Sequence, residues 1–260
     1  MAKVRVDRVS KTFGLRTGGS VQAVQALDDV SFEAGDGEIV ALAGPSGCGK
    51  TTALRIVMGL ETASAGEVRV GDRAVAGCGH DRGMVFQHAE LLPWKSAAEN
   101  IKFALAAKGL PKSELDAIAL RYLELVGLAH CKDRLPHQLS GGMKQRVGIA
   151  RALAIDPDVL LMDEPFGALD SQTRETLQLE LLSIHHRTGK TVIFVTHDLD
   201  EAVLLADRIV VMQSGRVKQT IPVAIPRPRT DLIAIRATPE FLAARKAIAA
   251  ALHDTQTGAA

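Results

Sequence analysis

Residues 39–51 read Ile39-Val40-Ala41-Leu42-Ala43-Gly44-Pro45-Ser46-Gly47-Cys48-Gly49-Lys50-Thr51. Ile39 to Ala43 is apolar without alternation, which suits a central parallel strand buried on both faces. The glycines that follow let backbone N–H groups converge on phosphate oxygens with no side chain in the way. A helix from about Lys50 to Met58, stopped by Gly59, then points its positive end at the same anion. Strand, glycine loop and helix in this order form the context that turns such a match into a phosphate site. Gly44, Pro45, Ser46, Gly47, Cys48 and Gly49 make the cradle. Lys50 reaches outer phosphates, Thr51 offers a hydroxyl to Mg²⁺, and Thr52 adds a further phosphate contact.

Two later stretches extend the pattern. Leu139-Ser140-Gly141-Gly142-Met143-Lys144-Gln145 is a Ser-Gly-Gly turn opening a helix, a second anion site of the same physical kind. Val159-Leu160-Leu161-Met162-Asp163-Glu164 follows it as a buried strand that ends in carboxylates. A carboxylate there is costly unless it faces a cation, and Mg²⁺ is the natural partner of Asp163. Glu164 is placed to orient and polarise an attacking water, because phosphoryl transfer needs positioning and charge stabilisation more than covalent help. Gln87 closes the strand that contains Met84-Val85-Phe86, where it serves Mg²⁺ or water. His197 ends the strand 191–196 at the carboxyl edge where ligands of open parallel sheets gather, facing a terminal phosphate. One subunit has no obvious way to close both anion sites on one ligand, whereas two subunits packed head-to-tail would close two sites by two-fold symmetry.

Composition narrows the alternatives. The 260 residues suffice for one large α/β domain or one domain with an inserted lobe, and 47% hydrophobic content supports a substantial core. Aromatics at 3% argue against stacking platforms for single-stranded nucleic acid, and a net charge of +1 announces no DNA or RNA footprint. Three cysteines (Cys48, Cys78, Cys131) with no C-x-x-C pair read as a reducing compartment without a cysteine metal site. The N-terminus lacks an apolar signal region, and no stretch approaches the roughly 18–20 apolar residues that span a bilayer. Membrane association is therefore expected through a partner.

Along the chain, Val4, Val6 and Val9 alternate with charged residues as in an edge strand with one buried face. Gly14 to Gly19 reads as a loose loop. Glu67–Val70 with the Gly71-Asp72 turn reads as an antiparallel hairpin. Residues of about 91–155 read as a mainly helical lobe inserted into the α/β core. Within it a capping box at Ser96-Ala97-Ala98-Glu99 opens one helix and Ser113 starts a second. Asp170 caps a long helix to Thr188, Asp198-Leu199-Asp200-Glu201 is another capping box, and Gln213-Ser214-Gly215 turns between two strands. Beyond Ile221 the chain is rich in proline and arginine (Pro222, Pro226, Arg227, Pro228, Arg229). It reads as a solvated tail with a terminal helix started by Thr238-Pro239 and frayed ends at 254–260.

Taken together, these residues resemble the nucleotide-binding subunit of ABC transporters from Lys3 to Ile221. Gly44–Thr51 is similar to Walker A, Gln87 to the Q-loop, Leu139–Gln145 to the signature, and Val159–Asp163 to Walker B with Glu164 as catalytic glutamate. Ala168-Leu169-Asp170 is similar to the D-loop and His197 to the switch histidine. Phe13 matches the aromatic that stacks on adenine. The signature carries Met143 where glutamine is common, with Ser140, Gly141 and Gly142 intact. The resemblance implies a P-loop NTPase of ABC type, an α/β fold with an antiparallel β subdomain and an inserted helical subdomain. The ATPase domain would be residues 1–221, followed by an appended segment 222–260. It implies ATP and Mg²⁺ as cofactors, catalytic roles for Lys50, Gln87, Glu164 and His197, and Asp170 at the nucleotide. It implies a homodimer in the ATP-bound state, peripheral on the cytoplasmic face of the membrane. There it would drive integral membrane permease subunits and, indirectly, an extracytoplasmic substrate-binding protein, with no nucleic-acid partner.

A finer likeness is to importers. Leu91-Leu92-Pro93-Trp94, Asp163-Glu164-Pro165-Phe166-Gly167-Ala168-Leu169-Asp170 and the tail from Ile221 to Arg229 are similar to the nitrate, aliphatic sulfonate and taurine group. In this family a permease helix docks beside Gln87, and Trp94 is read either as an exposed anchor for it or as packed inside the lobe. The alternative is a soluble ABC ATPase of DNA repair or translation. Repair types insert long coiled coils where this chain has room for two modest helices, and translation types usually carry two cassettes. A P-loop small-molecule kinase would need no second Ser-Gly-Gly turn.

Overall fold

The strand Ile39–Ala43 (β3) is buried at every residue, as its unbroken apolar run requires. In the computed structural model, which describes residues 4–17 and 20–253, the chain forms two compact units. The first comprises residues up to Gly79 and from Thr191 onward, the second His80–Lys190.

In the first unit β3 lies between two parallel neighbours, β8 (Thr191–Thr196) and β9 (Arg208–Gln213), and β10 (Arg216–Pro222) adds antiparallel to β9. Ser214 and Gly215 both have positive φ (47° and 77°), which gives the β9–β10 turn the twist that two-residue hairpins prefer. A second sheet, in the order β2-β1-β4-β5, is antiparallel throughout. Its strands are β1 (Val4–Thr17), β2 (Ser20–Ala34), β4 (Ala65–Val70) and β5 (Arg73–Ala74). The expected edge strand at Val4–Val9 is an interior one, paired with β2 on one side and β4 on the other. Alternation reports one buried face and says nothing of how many neighbours a strand has. The expected loop at 14–19 is also corrected, because β1 continues to Thr17 and β2 begins at Ser20, with Gly14 opposite Ala23. Ladder hydrogen bonds need only backbone, so small residues there do not end the strand. Gly18, Gly19 and the expected frayed end at 254–260 lie outside the described residues.

The helices of this unit are α1 (Lys50–Met58), α6 (Leu199–Leu205), α7 (Leu232–Arg236) and α8 (Pro239–His253). Thr238 Oγ1 accepts from the Phe241 N–H at 3.3 Å, the cap expected of Thr238-Pro239. The solvated tail is overturned for 222–253. Val223, Ile225, Leu232, Phe241, Ala244, Ile248 and Ala251 are all buried. Phe241, Ala244, Ile248 and Ala251 recur at helical spacing, a stripe that the surrounding prolines and arginines mask in composition.

In the second unit β6 (Arg82–Val85) pairs parallel with β7 (Val159–Asp163). Its helices are α2 (Ala97–Leu105), α3 (Lys112–Leu125), α4 (Gly141–Ala154) and α5 (Ser171–Thr188), of which α2, α3 and α4 pack on one another. The capping box of Ser96 and Glu99 forms as expected, and Asp170 and Gly189 bound α5. Ser113 is not the start of α3. The helix begins at Lys112 behind Pro111, whose fixed φ of −57° sets the entry without a side-chain cap. No helix among the described residues is long and apolar enough to cross a membrane.

Candidate functional site

The phosphate loop grows directly out of β3. A Cβ at Gly44 would sit 2.2 Å from the Met212 carbonyl oxygen, so only glycine lets the chain leave the strand here. Gly49 caps α1 with φ 101°, and a Cβ on it would lie 2.6 Å from the Ala26 oxygen. Pro45, Ser46 and Gly47 are exposed at the loop's crest, while Thr51 and Thr52 sit half-buried in the first turn of α1. Lys50 is 5% exposed, and its Nζ donates to the Gly44 and Pro45 oxygens at 2.8 and 2.9 Å. The ammonium therefore folds back into its own loop and hydrogen-bonds two of its carbonyls. Cys48 is buried beneath it with Sγ 3.9 Å from Lys50 Nζ. Burial pushes the Cys48 thiol pKa up, and the Lys50 charge offsets part of that rise.

β3 and β8 run in register, with Ala43 opposite Thr196. Gly44 and His197 therefore leave neighbouring strands at the same carboxyl end, and His197 is exposed there. The Thr196 hydroxyl donates to the buried Glu201 carboxylate and accepts from the Asp198 N–H at 3.0 Å. Asp198 in turn caps α6 through the Asp200 and Glu201 N–H groups at 2.9 and 3.2 Å. His197 is thus held on both sides by the bonds of Thr196 to Glu201 and Asp198, a link that the capping-box reading of Glu201 does not show. Phe13 lies half-buried on β1 with Lys11 Nζ 4.8 Å from its ring centroid, so an ammonium covers one face of that ring.

In the second unit the β6–β7 register sets Val85 opposite Met162, so Gln87 and Glu164 each follow two residues later. Gln87 Nε2 reaches Glu164 Oε2 at 3.4 Å. Asp163 and Glu164 are half-buried, and Glu164 has φ 44°, a left-handed value that is uncommon outside glycine. The fully buried Phe166 anchors the turn that follows. Asp170 accepts the Thr173 N–H at 3.0 Å, and that hydrogen bond lowers the carboxyl pKa.

Ser140 caps α4 by accepting the Met143 N–H at 3.3 Å, and Ser140 and Gly141 are exposed. Gly142 is buried where a Cβ would meet Thr173 Cγ2 at 2.5 Å, so α4 and α5 approach closely at the turn. Gln145, which closes the signature stretch, and Arg151 tie this helix to the segment after β6. Gln145 Nε2 donates to the Phe86 oxygen at 3.1 Å, and Arg151 donates to the Ala89 and Glu90 oxygens at 2.8 Å each. An open cleft of about 420 Å³ results, lined by Gln87 to Leu91, Pro136, Gly141, Lys144, Gln145, Ala168 and Leu169. Buried Asn100 holds the adjoining loop by accepting the Leu92 N–H and donating to the Lys95 and Ser96 oxygens. Trp94 stands out of this loop at 71% exposure, which excludes packing inside the lobe.

The comparisons agree with this geometry. The family model described as ABC transporter matches residues 27–167. An uncharacterized ABC transporter ATP-binding protein of Methanocaldococcus jannaschii is 46% identical over 97% of this chain and 92% of its own. The taurine import ATP-binding protein TauB of Rhizobium johnstonii is 45% identical over 97% of each chain. Among solved structures, the dimeric post-hydrolysis state of the ATP-binding cassette MJ0796 bound to ADP and Pi superimposes with a TM-score of 0.75. It is 34% identical and covers 84% of this chain and 98% of that one. With a phosphate loop, a carboxylate-ended strand and a Ser-Gly-Gly helix start all formed, the chain belongs to the ABC transporter family as an ATP-binding subunit with ATPase activity.

Proposed function

We propose that this chain energises an importer of small sulfonate-type nutrients, taurine import being what several of its relatives are named for. Two copies would close head-to-tail on ATP, peripheral to the cytoplasmic face of a membrane and docked on permease subunits. The ATPase domain is residues 1–221 with the helical insertion of about 91–155, and 222–260 is an appended segment. The observation that carries the reading is the pair of strand ends. Gly44 and His197 share one edge of the first unit, and Gln87 and Glu164 share one turn of the second.

The site residues take the following parts. The loop 44–52 binds the phosphates, with Lys50 leaving its own carbonyls for phosphate oxygens. The donors suited to Mg²⁺ are oxygens throughout, the Thr51 hydroxyl, the Gln87 amide oxygen and the Asp163 carboxylate, as a hard cation requires. When bound, the ion neutralises phosphate charge. Glu164 orients the attacking water and His197 contacts the terminal phosphate. Ser140, Gly141, Gly142 and Asp170 serve the nucleotide of the opposite subunit, and Phe13 contacts the base. Trp94, exposed beside the Gln87 cleft, is the anchor for a permease helix.

The test is a detergent pull-down of tagged Glu164→Gln protein with ATP from its host's membranes. Copurification of a multi-span membrane protein supports the importer. Recovery of soluble proteins or nucleic acid alone would favour a non-transport ABC ATPase instead.

A further inference from the structure

Helix α6 is seven residues long, too short to persist without external help for its ends. The help at its C-terminal end comes from the appended segment. Arg229 is deeply buried, and its Nη1 donates to the Ala206, Leu204 and Val203 oxygens at 2.8, 3.0 and 3.4 Å. Its Nη2 donates to the Ile225 oxygen at 2.9 Å, which closes the segment on itself. Arg227 takes the remaining carbonyl, with Nη2 on the Leu205 oxygen at 2.9 Å, and its Nε pairs with Asp207 at 2.8 Å. Two guanidinium groups thus cover four successive carbonyls that a helix end leaves without intrahelical partners. They also set positive charge against the negative end of the helix dipole. Asp207 holds the Ile39 N–H at 2.9 Å with its other oxygen, so the same clasp reaches the start of β3. At the opposite end of α6, Arg245 of α8 pairs with Asp200 at 2.6 Å.

Only the N-cap Asp198 separates His197 from the first turn of α6, and Glu201 in that turn holds the Thr196 hydroxyl on the other side of His197. A shift of α6 must therefore carry His197 with it. We propose that Arg229 is a positioning residue for ATP hydrolysis, clamping α6 so that His197 stays at the strand edge it shares with the phosphate loop. The segment 222–253 is then a built-in brace for the switch histidine. Burial lowers the Arg229 pKa to about 10, which leaves the guanidinium charged at neutral pH. This inference rests on the reading of His197 as the terminal-phosphate contact.

The experiment compares Arg229→Gln, Arg229→Lys and His197→Ala. Folded fraction is measured by circular dichroism, ATP affinity by calorimetry, and turnover per folded molecule by phosphate release. The imidazole NMR signals are also recorded, with the His197 resonance assigned from its absence in His197→Ala. Arg229→Gln is expected to lower kcat per folded molecule about tenfold, leave ATP affinity within about twofold, and shift the His197 resonance. Arg229→Lys should recover part of kcat, because an ammonium can serve some of these carbonyls. A merely structural role would reduce the folded fraction with kcat per folded molecule and the His197 resonance unchanged, which overturns the proposal. If Arg229→Gln does not fold, Arg229→Lys decides by the same criterion. Wild-type turnover in His197→Ala would sink the histidine reading itself. Slow His197→Ala beside normal Arg229 variants would sink the clamp alone.

Discussion

Gln87 Nε2 lies 3.4 Å from Glu164 Oε2 across the ends of β6 and β7. An amide that donates to the glutamate turns its oxygen arm elsewhere, so one side chain can report on both the carboxylate and a cation. Glu164 meets it with a left-handed backbone, a conformation that persists where the surrounding structure over-determines it. Glu164→Gln keeps this shape and removes the charge. Turnover should fall by roughly 10²–10³-fold, the usual cost of a group that acts on the transition state. Gel filtration with ATP should show an accumulated dimer, and fast continued hydrolysis would remove Glu164 from the water-orienting role.

Lys50→Ala acts at binding instead. The ammonium now donates to the Gly44 and Pro45 oxygens, so its removal strips the loop of its positive charge and leaves two carbonyls turned inward. Calorimetry should detect no productive ATP binding. Wild-type affinity with normal turnover would refute the phosphate-loop assignment.

The loop was legible because its chemistry is local. Five buried apolar residues, glycines at fixed spacing and a helix start lie within one short stretch, and β3 and α1 formed with Gly59 at the expected stop. Caps at Ser96, Asp170 and Thr238 were legible for the same reason. The misreadings involve partners distant in sequence. Nothing near Val4–Val9 says that β4 will cover its second edge. Nothing near Arg229 says that its guanidinium will end another helix more than twenty residues earlier. The ties made by Gln145, Arg151 and Asn100 are not legible, because each binds carbonyls of a loop that sequence does not place beside it.

Ser140→Arg tests the trans site. Ser140 and Gly141 are exposed, so a long cation is accommodated in the isolated subunit at the cost of one N-cap, about 1 kcal/mol. Single-subunit ATP affinity should persist while the ATP-dependent dimer is lost. A dimer that still forms with ATP would end the head-to-tail reading.

Gln145→Leu addresses the tie between α4 and the Gln87 segment. The substitution leaves the Phe86 oxygen without this donor. A lost hydrogen bond of this kind destabilises by about 1 kcal/mol, visible in a denaturant titration. Turnover per folded molecule should fall as well, since Gln87 follows Phe86 directly. An unchanged rate would mean that the tie is structural only.

Cys48 offers a chemical readout of the loop. The thiolate is the reactive form, and burial raises the pKa of this thiol despite the Lys50 charge beside it. At neutral pH the reactive fraction is therefore smaller than for an ordinary thiol, and iodoacetamide labelling should still be rising with pH where an ordinary thiol has levelled off. Cys78 is exposed and serves as the internal standard, while buried Cys131 lies far from the loop in sequence. ATP in the cradle should slow Cys48 labelling severalfold and leave the Cys78 rate unchanged, as followed by peptide mass spectrometry. Equal rates with and without ATP would mean that the buried sulfur is closed to reagent in both states, and that Lys50 does not move when the nucleotide binds.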